Sequence, residues 1–133
     1  MLSKVSLDQN EAAHIAAASI HEAVRRDVAV SVAVVDDAGI LLHFIRMDHA
    51  RVHSVELASR KARAAAGSAV STRMIDMALK AGMITNVDSV GWGGVPVTLD
   101  GGCAGAVGIS GASPEVDDEI ASVAAGKAGQ PDG

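Results

Sequence analysis

Segments of helical and of extended periodicity follow one another along the chain, separated by turn residues. Residues 7–26 are dense in alanine and free of Gly and Pro, which predicts a first helix with Asp8 as its N-terminal cap. The β-branched run 28–35 predicts a largely buried strand. Asp-Asp-Ala-Gly at 36–39 then predicts a turn, and residues 40–47 predict the return strand of a hairpin.

The middle of the chain has the periodicity of two further helices. Residues 54–69 predict the second helix, and residues 72–80 predict a shorter third one that Ser71 or Thr72 caps. Residues 83–90 fit a loop or a short strand.

The last third of the chain predicts a second hairpin and a final helix. Strands at 95–99 and 103–109 flank an Asp-Gly-Gly turn, and Ser113 caps the helix that follows. Several glycines fall inside the second of these strands. Glycine weakens a strand, so this pattern predicts that a helix, another subunit or a ligand lies close against the backbone there.

The order of these elements predicts the fold class. Helix, hairpin, two helices, hairpin and helix form an α+β domain, because hairpins build antiparallel sheet and the helices cover it. We expect a single domain over 1–133, with a core at about 7–125 and a disordered tail at 126–133.

Composition narrows the function classes. The chain has 133 residues, of which 49% are hydrophobic and 20% charged, and no apolar run is long enough to span a membrane. Residues 1–6 lack the apolar core of a signal peptide, and Cys103 is the single cysteine. These features predict a cytoplasmic protein without a membrane partner.

Charge and side-chain size add two expectations. The formal net charge is −5, and Phe44 and Trp92 are the only aromatic residues, which argues against nucleic-acid binding. Helices rich in alanine bury little area each, so we expect a homo-oligomer whose subunit contacts complete the core.

Five short motifs occur in order between residues 28 and 125. They are Val-Val-Asp-Asp-Ala-Gly at 34–39, Arg-Met-Asp at 46–48, Ala-Ser-Arg-Lys-Ala at 58–62, Gly-Gly-Val-Pro at 93–96 and Gly-Ala-Val-Gly-Ile-Ser-Gly at 105–111. With Asp117 at an acidic position, they make the chain resemble the GlcG/HbpS-like family. The resemblance implies an antiparallel five-stranded sheet, a homo-oligomer that is commonly an octamer, and haem binding in some members.

The first predicted helix carries His14 and His21, which lie on one face because they are seven residues apart. Neutral imidazole can ligate haem iron, and the resemblance implies such a role for a histidine of this helix. Arg25 follows His21 by one turn and can meet a haem propionate. The alternative is that both histidines face solvent or a neighbouring subunit.

His43, Asp48, His49 and His53 form a second cluster, and its candidate metal ligands are Asp48, His49 and His53. Two imidazoles and one carboxylate on a common face can bind a divalent metal. The alternative is a solvated polar loop.

Positive charge gathers around the end of the first hairpin and along the second helix, at Arg46, Arg51, Arg60, Lys61 and Arg63. Cations in an acidic chain favour a small organic anion or a haem propionate, although pairing with nearby acids explains them as well. Gly94, Pro96 and Ser113 are further candidates for ligand binding. Ser113 and the helix amides after it can bind an anion, although the same residue can simply cap the helix.

These observations lead to two functional hypotheses, beside which a purely structural or regulatory assembly module without a ligand stays open as a third. The first is an oligomeric ligand-binding protein, with haem as the ligand and a pocket between helix and sheet near a subunit interface. The second is an enzyme acting on a small organic acid, in which Lys61 and Arg46 hold the carboxylate and Asp48 or a histidine moves a proton. Asp48 and Lys61 are the catalytic candidates.

Overall fold

The computed structural model describes residues 5–130. The predictions for residues 1–4 and for 131–133 therefore lie outside the described part of the chain. None of the helices in the described part is long and apolar enough to cross a bilayer.

Residues 5–130 form four helices and four strands. In chain order these are α1 (Gln9–Arg25), β1 (Ser31–Asp36), β2 (Leu41–Arg46), α2 (Ser54–Ser68), α3 (Thr72–Lys80), β3 (Gly94–Leu99), β4 (Gly102–Ser110) and α4 (Pro114–Ala125). The order confirms the predicted α+β class, and the helix and strand bounds differ from the predicted ones by three residues or fewer.

The predicted helix caps are present. The Asp8 carboxylate accepts the Glu11 N–H at 2.8 Å, and the Ser71 hydroxyl accepts the Met74 N–H at 3.2 Å. At the start of α4 the Ser113 hydroxyl accepts an N–H at 3.3 Å, and Pro114 stands at the first helical position. Each cap satisfies a backbone donor that the helix itself leaves free.

The sheet is antiparallel with the strand order β2-β1-β4-β3, so the two hairpins meet through β1 and β4. Four strands form within the described residues, which corrects the five implied by the family resemblance. Residues 83–90 form a loop. This segment is exposed except for Val90, and it lacks the alternation that would let it bury one face against a neighbouring strand.

The helices cover both faces of the sheet. Helices α1 and α4 pack together on one face, over a core that includes Ile15, Val32, Ile109 and Ile120. Helix α2 packs on the other face, mainly over β4, and its core is almost wholly alanine. The members of this second cluster are Ala33, Val35, Ala58, Ala62, Ala65, Ala66 and Ala106, with Phe44 at its edge.

Glycines in β3 and β4 let α2 lie directly on the sheet. A Cβ at Gly108 would stand 2.0 Å from the Ala58 carbonyl oxygen and 2.6 Å from the Ala62 nitrogen. A Cβ at Gly94 would stand 2.3 Å from the Lys61 carbonyl oxygen. The close approach predicted from the glycine pattern is therefore real, and a helix makes it.

Residues 126–129 form turns after α4, in which the Gly126 and Lys127 N–H groups donate to carbonyls of α4. Ala128 packs against the core of the α1–α4 face.

Candidate functional site

A pocket of about 210 Å³ opens where α2, the loop before β3, the end of β4 and the start of α4 meet. Charged, polar and apolar side chains all line it. The lining residues are Arg51, His53, Leu57, Lys61, Val90, Gly91, Trp92, Ser110, Gly111, Ala112, Pro114 and Asp117.

Lys61 is the buried cation of this pocket, with 4% of its surface exposed. It lies on the sheet-facing side of α2, and its ammonium reaches past the end of β4. There Nζ donates to the Ile109 carbonyl oxygen at 2.9 Å and to Asp117 Oδ2 at 3.3 Å. The stem of Lys61 therefore packs as part of the core, while its charge reaches the pocket.

Asp117 is the matching buried anion, with 3% of its surface exposed. It lies in the first turn of α4, where a carboxylate is favoured by the helix dipole. Its Oδ1 accepts the Ala112 N–H at 3.0 Å, and its Oδ2 faces Lys61. The carboxylate thus holds the loop before α4 and joins α4 to α2.

Burial dominates the ionisation of this pair. Desolvation lowers the pKa of Lys61 and raises the pKa of Asp117, because each charged form loses hydration. The attraction between the two groups acts in the opposite direction on both pKa values. Perturbed ionisable groups beside a cleft are typical of functional sites, and also of structural ion pairs.

The loop that carries Trp92 is tied to α3. Trp92 Nε1 donates to Asp76 Oδ2 at 2.9 Å, and the Arg73 guanidinium lies 4.8 Å from the centre of the indole ring. Arg73 also lies 3.5 Å from the carboxylate of Asp118 on α4. These contacts fix the indole ring at the pocket.

Arg51 and His53 are exposed residues that line the pocket from the segment before α2. Of the five predicted cations, only Lys61 and Arg51 line the pocket. Arg46 instead donates to the Ala50 carbonyl at 3.3 and 3.2 Å. Arg46 therefore does not line the pocket with Lys61, and the arginine that does is Arg51.

The first-helix candidates lie elsewhere. His21 and Arg25 are exposed on α1, a helix that packs on the sheet face opposite α2, and neither lines the pocket. Arg25 forms an ion pair with Glu22 at 3.0 Å. The hydrogen bond from Arg25 lowers the pKa of Glu22.

The predicted metal ligands Asp48, His49 and His53 are all exposed. Among residues 5–130 no three His, Cys, Asp or Glu side chains come together in a group that could hold a metal ion. The predicted three-ligand cluster is therefore not assembled within the described part of a single chain. Asp48 is also absent from the pocket lining, and the carboxylate beside Lys61 is Asp117.

The remaining candidates have structural contacts. The Gly94 N–H donates to Thr72 Oγ1 at 3.0 Å, which joins β3 to α3. Pro96 lies in β3 and pairs with Ala106. The Ser113 hydroxyl caps α4, which is the structural role that the sequence offered as the alternative to anion binding.

Sequence reasoning placed Asp117 in the family pattern but did not identify it as the partner of Lys61. The two residues are 56 positions apart, and only the packing of α2 and α4 around the end of β4 joins them. The available signal was an acid in the first turn of a helix capped by Ser113, four residues earlier. Trp92 was missed as a pocket residue because the loop before β3 has no periodicity.

Comparisons with known proteins agree on one family. The family model described as "Haem degrading protein HbpS-like" matches residues 7–126. Protein GlcG of Escherichia coli strain K12 is 36% identical over 118 residues, which cover 83% of this chain and 85% of GlcG.

Two solved structures extend the likeness to the fold. The Klebsiella pneumoniae protein ORFY is 31% identical, with a TM-score of 0.86 over 95% of this chain and 92% of its own. The PduOC structure, solved as a haem complex, is 28% identical, with a TM-score of 0.81 over 94% of this chain and 96% of its own. The resemblance seen in the motifs is confirmed, and the chain belongs to the HbpS-like family.

Proposed function

We propose that the protein binds a small-molecule ligand and that this ligand is haem, held on the outer surface of α1. The supporting observation is the likeness, over nearly the whole of both chains, to a protein whose structure contains haem. The family description, which refers to haem degradation, supports the same ligand.

The pocket beside Lys61 does not fit haem. Its volume of about 210 Å³ lies below the range of roughly 300–1,000 Å³ that encloses drug-sized ligands. The surface of α1 offers the groups that haem requires. His21, Val24 and Arg25 are exposed within one helical turn, and Val24 exposes 65% of its surface.

In this proposal each of the three side chains has a separate role. The His21 imidazole would ligate the haem iron, and Arg25 would meet a propionate in place of its ion pair with Glu22. Val24 contacts the apolar ring. Bound haem would supply a redox-active iron. One helix covers only one side of a macrocycle, so the opposite side requires a second copy of the chain.

Titration with haemin tests this proposal. We expect a saturable Soret shift with the wild-type protein and with His49→Asn, which changes an exposed histidine away from α1. Asparagine suits this position because His49 has a φ of 73°. His21→Ala should lose the shift while its circular dichroism stays unchanged. A wild-type protein that gives no shift would contradict the proposal, as would an unaltered shift in His21→Ala.

We also propose that the protein is a homo-oligomer, an octamer, in the cytoplasm. Self-association is supported by the alanine core under α2 together with exposed apolar side chains on α3 and the loop after it. These side chains are Met74, Met77, Met83, Ile84 and Val87. Light scattering after size-exclusion chromatography should give eight times the mass of 13.4 kDa. A monomeric mass would contradict the proposal, and cell fractionation tests the location.

An enzyme acting on a small organic acid is the second candidate, and the Lys61–Asp117 pair beside a pocket favours it. The acid–base groups at the pocket are Lys61, Asp117 and His53. Exchange of the methyl protons of pyruvate in D₂O, followed by proton NMR, tests for proton abstraction without any co-reactant. Exchange above the rate of heat-denatured protein is expected, and equal rates would contradict catalysis of this kind.

A further inference from the structure

The charges that line the pocket beside Lys61 are unequal. Lys61 and Arg51 are its cations, and Asp117 is its single carboxylate. The Asp117 charge is directed to Lys61 at 3.3 Å, which leaves the Arg51 guanidinium uncompensated within the lining. A chain with a formal charge of −5 thus presents a locally positive cavity.

The Lys61 ammonium has hydrogen-bonding capacity left. It carries three N–H donors, and its partners within residues 5–130 are the Ile109 carbonyl and Asp117. The backbone of two glycines packs close to the end of the Lys61 side chain. A Cβ at Gly91 would lie 3.9 Å from Lys61 Cε, and one at Gly93 would lie 3.3 Å from Nζ.

The apolar part of the lining is small. It consists of Leu57, Val90, Trp92, Ala112 and Pro114. A volume of about 210 Å³ restricts the occupant to a molecule below drug size. A lining that combines cations with apolar groups suits a ligand with one anionic end and a short apolar tail.

We propose that this pocket binds a small organic carboxylate with a short aliphatic tail. The carboxylate accepts hydrogen bonds from the Lys61 ammonium and the Arg51 guanidinium, and the tail contacts the apolar wall beside Trp92. Arginine suits this role because its planar fork matches a carboxylate. The site is separate from the α1 surface proposed for haem, and binding there requires neither haem nor turnover.

The protein contains its own reporter for this site. Trp92 is the only tryptophan, the chain has no tyrosine, and the indole lines the pocket. We expect titration of the wild-type protein with butyrate, at constant ionic strength, to change the Trp92 fluorescence saturably. Butyramide has nearly the same shape without the charge, and chloride has the charge without the tail. Both should give no saturable change.

Two arginine variants locate the carboxylate. Arg51→Gln should weaken butyrate binding by about three- to fivefold, the effect expected for one exposed ion pair. Arg60→Gln removes an exposed arginine of α2 outside the lining and should bind as wild type does. Both arginines are exposed, so their replacement leaves the core intact.

Three results would overturn the proposal. The first is the absence of a saturable butyrate signal by both fluorescence and calorimetry. The second is equal binding of butyrate and butyramide, and the third is equal loss of affinity in Arg51→Gln and Arg60→Gln.

Discussion

Replacing Gly108 by alanine tests whether the direct contact between α2 and β4 holds the fold together. The new Cβ would stand 2.0 Å from the Ala58 carbonyl oxygen, whereas ordinary contact begins at 3.4 Å. Both partners are backbone, in a helix and in a central strand, so no flexible side chain can move aside. Helix α2 must therefore retreat from the sheet by about 1.4 Å.

The size of the effect follows from that displacement. Overpacking in a core ordinarily costs about 1–3 kcal/mol. A gap of about 0.5–1 Å already forfeits a quarter to a half of each dispersion contact, and the alanines under α2 have few atoms with which to refill it. We expect Gly108→Ala to lower the free energy of unfolding by about 3 kcal/mol or more, near the upper end of the overpacking range.

Gly67→Ala is the matched control. Gly67 lies in α2, and a Cβ there would meet no atom within 4 Å. The same substitution should therefore stabilise the protein by about 0.5–1 kcal/mol, because alanine is the better helix former. Urea unfolding measures both variants. At an m-value of about 1–3 kcal/mol/M, the midpoint of Gly108→Ala should fall by about 1–3 M. A change within about 0.5 kcal/mol of wild type in Gly108→Ala would refute the argument.

Three further substitutions test the contacts around the pocket. Lys61→Met leaves Asp117 buried without its cation and should lower the free energy of unfolding by about 3–5 kcal/mol. The double variant with Asp117→Leu removes both charges and should lose less stability. A double-mutant cycle measured by urea unfolding tests both expectations. The pKa of Asp76 in the folded protein lies below its ordinary value of 3.8, first because Trp92 donates a hydrogen bond to it. The ionised carboxylate therefore stabilises the fold fully above pH 3.8. That stabilisation is lost as the pH falls through the lower pKa of the folded state. Asp76→Asn should accordingly be less stable than wild type at about pH 6, with a difference that shrinks towards about pH 2 in thermal melts. Ser113→Ala removes the cap of α4 and should lower the free energy of unfolding by about 0.5–2 kcal/mol, and an unchanged urea midpoint would contradict that role.

Local signals made most of the fold predictable. Asp8, Ser71 and Ser113 each stand before a helical pattern, and each caps the helix that the pattern predicts. The glycines of β4 predicted a close approach, because glycine weakens a strand unless a neighbour packs directly against the backbone. The pattern could not say that the neighbour is α2, since that depends on how distant segments pack.

The register of the sheet was beyond local reasoning. The pairing of β1 with β2 shifts between Val34 and Val35, so Leu42 packs with the core of the α1–α4 face while Phe44 packs under α2. A strict period of two would place both side chains on one face. A β-bulge changes the sheet face on which the following side chains lie, and the residue types of the strand do not reveal it.

The candidate site was predictable only where one residue carried the signal. Lys61 was identified in its motif, and it proved to be the buried cation of the pocket. Its expected companions Arg46 and Asp48 belong to the Arg-Met-Asp motif, yet its actual partner Asp117 comes from the last helix. Propensity and spacing describe one element at a time, whereas a pocket is built by several.

The glycines that let α2 pack directly on the sheet also determine the position of the Lys61 ammonium. Because Gly94 has no side chain, β3 can approach the Lys61 carbonyl, where a Cβ would stand 2.3 Å from the oxygen. That approach brings the lysine stem close enough to the end of β4 for Nζ to reach the Ile109 carbonyl at 2.9 Å. A helix lifted from the sheet would withdraw the ammonium from Asp117 as well. Substitutions that fill the glycine contacts should therefore reduce ligand binding at the pocket as well as stability, even though Gly94 and Gly108 do not line it.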